Sequence, residues 1–206
     1  CFLWNFHRFC LFPSNKFLYD FWPILYFAFT LLLVLVLKKV SLKQLGFNNI
    51  WKALAIGTIL GVIPIVSVLL LDGWLVKSGL SQSELFIGAD LRIPQEMKFD
   101  MSLSGNLFTA IIVTFLDQLF VVGLVINNLL KKQKTGQTII VGGLLYSLFH
   151  FKPNLGNLFL GMISAGLLRA TGSILAPFLV HLGFAIAEIL IIFNYPRLIS
   201  ILVFFV

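Results

Sequence analysis

Three side chains that can carry acid–base chemistry lie inside long apolar stretches of this sequence. Asp117 is near the middle of one apolar run, His150 is near the end of a shorter run, and His181 is in the middle of a third. An ionised carboxylate at the centre of a bilayer costs at least about 2.5 kcal/mol. Asp117 must therefore be protonated, paired or turned towards a polar cavity, and a buried carboxylate beside histidines is the type of group that acts as a general base.

The same three residues also form a ligand set. If their helices converge, Asp117, His150 and His181 offer one oxygen and two nitrogens, as in hydrolytic zinc sites that leave one position open for water. The trio can equally hold a water molecule without a metal. Both arrangements stay open at this stage, and zinc is the divalent metal to test.

The composition shows what surrounds these residues. The chain is 59% hydrophobic and 11% charged, with a mean hydropathy of +1.01, which leaves too little polar surface to cover a water-soluble globule. Apolar runs of about twenty residues are typical of spanning helices, whereas barrel strands alternate polar and apolar residues. We therefore predict an all-α, multi-pass transmembrane bundle of about six or seven spanning helices, with the lipid bilayer as its main partner.

The apolar runs and one polar stretch give the expected organisation. Residues 72–106 carry five acids against three bases, a net charge of −2, and predict an extramembrane loop. We expect N-terminal helices and this loop over 1–103, a membrane core over 104–195 and an apolar tail over 196–206. The predicted helical runs are 17–37, 53–71, 107–130, 138–151, 155–168 and 173–193.

The net charge of +7 does not indicate nucleic-acid binding, because the fifteen basic residues cluster only where apolar runs end. Lys38 to Lys52, Lys131 to Lys134 and Arg169 fall on one side, which the positive-inside rule assigns to the cytoplasm. Cys1 and Cys10 have a spacing that indicates neither a disulfide framework nor a thiolate metal site.

Three short motifs carry a resemblance to a known family. Asp117 to Gly123 aligns with a Glu-Glu-x-x-x-Arg-Gly pattern, Tyr146 to His150 with Phe-x-x-x-His, and His181 to Ala185 with His-x-x-x-Asn. The sequence Thr-Gly-Ser-Ile-Leu-Ala-Pro at 171–177 leads into the last motif. With these features the stretch from about 104 to 192 resembles the CAAX prenyl endopeptidase and bacteriocin-processing family of intramembrane endopeptidases.

The first and last motifs depart from the family pattern at four positions. Asp117 and Gln118 replace the two Glu residues, Val122 replaces Arg, and Ala185 replaces Asn. Asp117 can still act as a base, although its carboxylate is held one methylene closer to the backbone. Val122 cannot pair with a carboxylate, and Ala185 cannot donate to an oxyanion. Glu188, the other acid inside an apolar run, is a candidate replacement for the lost polar group.

The resemblance implies that the chain cleaves membrane-associated peptides, either prenylated or leader peptides. In that reading Asp117 activates a water molecule that His150 and His181 position. A second reading is a catalytically inactive member of the family that acts as a membrane scaffold. A third reading, a small transporter that relays protons, is the weakest because no inverted repeat is visible.

Overall fold

The computed structural model describes residues 16–37, 41, 43–78, 103–129, 131–150, 155–195 and 198, and for 16–24 and 26 it describes the backbone alone. Within this part the chain forms six helices and no extended strand, which confirms the all-α prediction. The helices are α1 (Lys16–Val36), α2 (Ile50–Lys77), α3 (Leu103–Leu129), α4 (Thr135–Phe149), α5 (Leu155–Thr171) and α6 (Leu175–Asn194).

Helix lengths within the described chain set how many segments can cross a bilayer. Three helices are long and apolar enough by length and composition, namely α2, α3 and α6, whereas α1 enters this comparison only with Phe27–Val36. The 15 residues of α4 extend only about 22 Å, less than the roughly 30 Å of hydrocarbon. The sequence-based figure of six or seven spans is therefore not confirmed, while three membrane-length helices are present.

Asp72 corrects the predicted boundary of the polar loop. It was assigned to the loop, but α2 continues to Lys77 and Asp72 is buried, with 9% of its surface exposed. The helix continues because apolar residues follow Asp72, including Trp74, Leu75 and Val76. Residues 79–102 of the predicted loop lie outside the described residues, as do Lys38, Lys39, both cysteines and residues 199–206 of the predicted tail.

Close contact between α2 and α6 depends on glycine. A Cβ atom added to Gly183 would overlap the backbone of Gly61, and one added to Gly61 would overlap the Leu179 carbonyl. A Cβ at Gly57 would lie 2.9 Å from the Cα of Ala176. Small residues that let helix backbones touch are the usual means of helix association in membranes.

The contact between α4 and α5 also depends on glycine, and it holds Tyr146 in place. Gly143 lies against Met162 and Leu158, and a Cβ on Gly161 would overlap the side chain of Tyr146. Tyr146 is consequently fully buried. A large side chain held between two helices has few rotamers available, so its hydroxyl group is placed accurately.

The segment between α1 and α2 folds back onto the bundle and fixes the start of α6. Leu45 is 1% exposed, and the Ile174 N–H donates to the carbonyl of Gly46 at 2.9 Å. Gly46 has φ +95°, a left-handed conformation that favours glycine. Phe47 and Ser173 form an isolated bridge. These contacts hold the N-terminus of α6, six residues before His181.

The basic segments meet at one end of the bundle, as the charge pattern predicts. Lys52 Nζ donates to the carbonyl of Ala170 at 3.2 Å. The Arg169 guanidinium donates to the carbonyls of Lys131 and Gln133 at 3.4 and 3.1 Å. The assignment of this end to the cytoplasm stays a prediction.

A bulkier residue at the α2–α6 crossing is expected to destabilise the bundle. Gly183→Val places methyl groups against the Gly61 backbone, which cannot move away as a flexible side chain does, and we expect a loss of about 1–3 kcal/mol. Thermal unfolding in detergent measures this loss. Gly73→Ala is the matched control, because a Cβ there meets nothing within 4 Å. Equal melting temperatures for the two variants would contradict the packing described.

Candidate active site

Helix α3 changes geometry directly after Asp117. Gln118–Ile126 is π-helical, and the Asn127 N–H donates to the carbonyl of Val122, five residues earlier. Such wide turns within α-helices are frequent at functional sites. Here both Asp117 and its neighbour Gln118 reach the hydroxyl group of Tyr146.

Asp117 is the centre of a buried polar cluster. Its Oδ2 accepts a hydrogen bond of 2.5 Å from the Tyr146 hydroxyl, and its Oδ1 lies 3.0 Å from Nε2 of His150. Nδ1 of His181 is 3.5 Å from Oδ2. The structure therefore brings together the three residues that the sequence singled out, from helices α3, α4 and α6.

Gln118 completes the cluster from the π-helical segment. Its amide nitrogen lies 3.2 Å from the Tyr146 hydroxyl and 2.9 Å from Nδ1 of His181. The Tyr146 hydroxyl is itself 3.2 Å from that ring nitrogen. Gln118 is 0% exposed, so these contacts form away from water, where hydrogen bonds are strongest.

The position of a proton between Asp117 and His150 follows from the chemistry of their partners. Nδ1 of His150 lies 2.8 Å from the backbone carbonyl of Tyr146, and a carbonyl oxygen only accepts, so Nδ1 carries a proton. Nε2 faces a carboxylate oxygen at 3.0 Å. Two bare lone pairs at that distance repel, so one of the two atoms carries a proton, although the alignment falls short of a regular hydrogen bond.

The cluster is buried at Asp117 and open at the histidines. The side chain of Asp117 is 5% exposed, that of His150 is 28% exposed and that of His181 is 19% exposed. His150 follows the last residue of α4, and its ring stacks on the ring of Tyr146 with the centroids 4.3 Å apart. The carboxylate is therefore nearest to the protein surface on the side of His150.

A zinc ion held by Asp117, His150 and His181 is the other arrangement that the sequence left open. Within the described residues no group of three or more His, Cys, Asp or Glu side chains is arranged to hold a metal. Oδ1 of Asp117 faces His150 Nε2 at 3.0 Å. Nδ1 of His181 is taken by the Gln118 amide. Zinc binding at the cluster therefore stays a prediction of the sequence, and we derive no catalytic step through a metal.

The sequence analysis missed two members of the cluster. From the sequence, Gln118 was interpreted only as the replacement of the second Glu in the family pattern, and Tyr146 only as the aromatic residue of a motif. In the structure Gln118 bonds to the Tyr146 hydroxyl, and that hydroxyl bonds to Asp117. A polar residue next to Asp117, and a hydroxyl four residues before His150 on the same helix face, were the signals available. Val122, by contrast, is fully buried among apolar residues.

Glu188 does not take the place of the missing Asn. It is exposed on α6, whereas the Asp117 cluster is buried. Seven residues separate it from His181, which is about 10 Å along the helix axis.

A family comparison covers the same region as the cluster. Residues 100–187 match the model described as Type II CAAX prenyl endopeptidase Rce1-like. The resemblance found in the motifs is confirmed. The match covers a little under half of the chain, and Asp117, Tyr146, His150 and His181 all lie within it. No curated protein and no solved structure gives a significant match to the chain.

Removal of divalent metals should leave the cluster intact. Because Asp117 already has partners in Tyr146 and His150, we expect an unchanged melting temperature after dialysis against EDTA or 1,10-phenanthroline. Elemental analysis of the purified protein should find much less than one zinc ion per chain. Stoichiometric zinc whose removal lowers the melting temperature would overturn this reading, because bound metal contributes directly to folding free energy.

Proposed function

We propose that this chain is an intramembrane endopeptidase that hydrolyses a peptide bond of a membrane-associated peptide or protein. The convergence of Asp117, His150 and His181 in a bundle of membrane-length helices is the observation that carries the proposal. The match of residues 100–187 to an endopeptidase family supports it. The finer points, namely the substrate and the role of each residue, are part of the proposal.

In the first step the Asp117–His150 pair activates a water molecule. When the proton between them is lost, Oδ1 and Nε2 are both acceptors, and they separate to admit a water that donates to each. The His150 side chain is 28% exposed at the end of α4, so water can reach this pair. The water oxygen then attacks the scissile carbonyl carbon as the pair takes its proton, which is general base catalysis.

In the second step the proton returns to the substrate. The C–N bond of the tetrahedral intermediate breaks as the pair gives its proton to the departing amine, which leaves a carboxylic acid and an amine as products. Over the two steps the protein undergoes no net change in protonation or covalent structure. Burial of Asp117 strengthens each of these interactions, since few water dipoles compete with them.

The surroundings favour a substrate that is held at the membrane. The cluster lies at mid-length of α3, inside a bundle whose outer surfaces are apolar, so an aqueous peptide would have to leave water to reach it. A lipid anchor or an apolar leader segment would offset that cost through burial in the bilayer. Prenylated peptides and leader peptides are therefore the two substrate classes to test.

The inactive-scaffold alternative rests on the substitutions at 122 and 185. Val122 and Ala185 supply no charge or amide to a developing oxyanion, so the chain lacks two groups of the family pattern. A scaffold, however, has no need of a buried carboxylate with two histidine contacts and a tyrosine hydrogen bond. That cluster favours the enzyme.

Removal of the base should abolish hydrolysis. We expect Asp117→Asn to lower kcat for a prenylated or leader-type peptide by at least about a hundredfold, in line with the usual contribution of a general base. His181→Ala should also lower it. Reconstituted protein and mass spectrometry of the products provide the measurement.

The matched control is Glu188→Gln, which neutralises an exposed acid of α6 outside the cluster and should keep the parental rate. A parent protein that cleaves neither peptide class, or an Asp117→Asn variant with parental rate, would rule out the proposed role.

A further inference from the structure

Gln118 and Tyr146 are two of the positions where the chain differs from the family pattern, and they touch each other. The amide nitrogen of Gln118 lies 3.2 Å from the Tyr146 hydroxyl. The pattern has Glu and Phe at these positions, and a carboxylate with a phenyl ring cannot form this bond. Two changes that meet in one hydrogen bond suggest compensation rather than independent loss.

The direction of each hydrogen bond follows from one starting point. Oδ2 of an ionised Asp117 can only accept, so the Tyr146 hydroxyl donates its single proton to it across 2.5 Å. The hydroxyl oxygen of Tyr146 must then accept from Gln118. This favours the amide nitrogen of Gln118 on the Tyr146 side, since the reversed amide would place a second acceptor against a hydroxyl with no proton left. In this orientation Oε1 of Gln118 is buried without a hydrogen-bond partner.

The second amide proton of Gln118 decides the tautomer of His181. The amide nitrogen is 2.9 Å from Nδ1 of His181, a normal hydrogen-bond length, whereas the 3.5 Å to Asp117 Oδ2 is too long for a good one. Nδ1 therefore accepts and carries no proton. A neutral imidazole has one N–H group, which must be on Nε2, and Nε2 has no hydrogen bond to any described residue.

We propose that Gln118 and Tyr146 are positioning residues that hold Oδ2 of Asp117 and fix His181 as the Nε2–H tautomer. Asp117 is then divided between two tasks. Its Oδ2 is held by Tyr146, and only Oδ1, which faces His150, is free to exchange a proton. This inference rests on the proposed function for its catalytic consequence, but the hydrogen-bond arrangement stands independently of it.

The arrangement explains why a Gln is suited to position 118. A Glu there would accept rather than donate, so it would deprive the Tyr146 hydroxyl of its donor and force a proton onto Nδ1 of His181. It would also add a second negative charge beside Asp117 without the Arg of the family pattern, because position 122 is a buried Val. The family residue is therefore expected to be harmful in this chain.

The decisive measurement is the protonation of His181 in the full-length protein in lipid. Nitrogen-15 chemical shifts of the imidazole distinguish a bare ring nitrogen from an N–H group, and comparison with His181→Gln assigns the signal. We expect a bare Nδ1 in the parent and in Tyr146→Phe, where the Gln118 amide remains. In Gln118→Glu we expect a protonated Nδ1. A protonated Nδ1 in the parent would overturn the proposal.

Kinetics test the positioning role. Tyr146→Phe frees Oδ2 of Asp117, and we expect kcat to fall about tenfold to a hundredfold with an unchanged KM, as for a misplaced catalytic group. Gln118→Leu should act similarly, and the double variant should cost little more than the worse single one, because the residues act as a unit. If the two single-variant losses in kcat added up in the double variant, the proposal that Gln118 and Tyr146 act as a unit would be wrong.

Two control variants separate positioning from general damage. Tyr195→Phe removes a hydroxyl at the end of α6, and Gln137→Glu adds an acid at an exposed position of α4. Both should keep the parental kcat.

If the parent cleaves nothing while His181 has a bare Nδ1, the proposed function fails and the hydrogen-bond arrangement holds. Parental kcat in both Tyr146→Phe and Gln118→Leu would refute the positioning role.

Discussion

The cluster is organised around one carboxylate that has to be stabilised away from water. Asp117 is nearly inaccessible to solvent in an apolar bundle, where an uncompensated charge costs several kcal/mol. The chain meets this cost with a tyrosine hydroxyl on one oxygen and a histidine on the other. Because these partners come from α4, and His181 comes from α6, the requirements of a single side chain connect three helices.

Accurate placement of these partners relies on backbone contact. Tyr146 is held by Gly143 and Gly161 at the α4–α5 crossing, and α6 is held against α2 by Gly61 and Gly183. In a bilayer the hydrophobic effect does little to press helices together, so close packing supplies much of the association energy. The glycines thus contribute to function although they are distant from the chemistry.

The departures from the family pattern acquire different meanings once the structure is considered. At positions 122 and 185 a polar group of the pattern is lost, because a buried valine and an alanine offer none to the cluster. Gln118 is a change of role, since its amide nitrogen contacts the Tyr146 hydroxyl and Nδ1 of His181, where the carboxylate of the family pattern could only accept. Substitutions in a motif should therefore be judged by the hydrogen bonds that the new residues make.

The sequence alone determined the helical class, the membrane setting and the three central residues. Hydrophobic runs and the rarity of embedded ionisable groups are local properties, so they can be read without coordinates. The end of α2 at Lys77 was misjudged, because one acid inside an apolar helix resembles the start of a loop until the neighbouring helix that buries it is known.

Only the tertiary structure decided that Asp117, His150 and His181 meet and that Tyr146 and Gln118 bond among them. Distances between helices depend on packing over the whole bundle, and hydrogen-bond direction depends on all the partners together. Neither quantity is recorded in the spacing of residues along the chain.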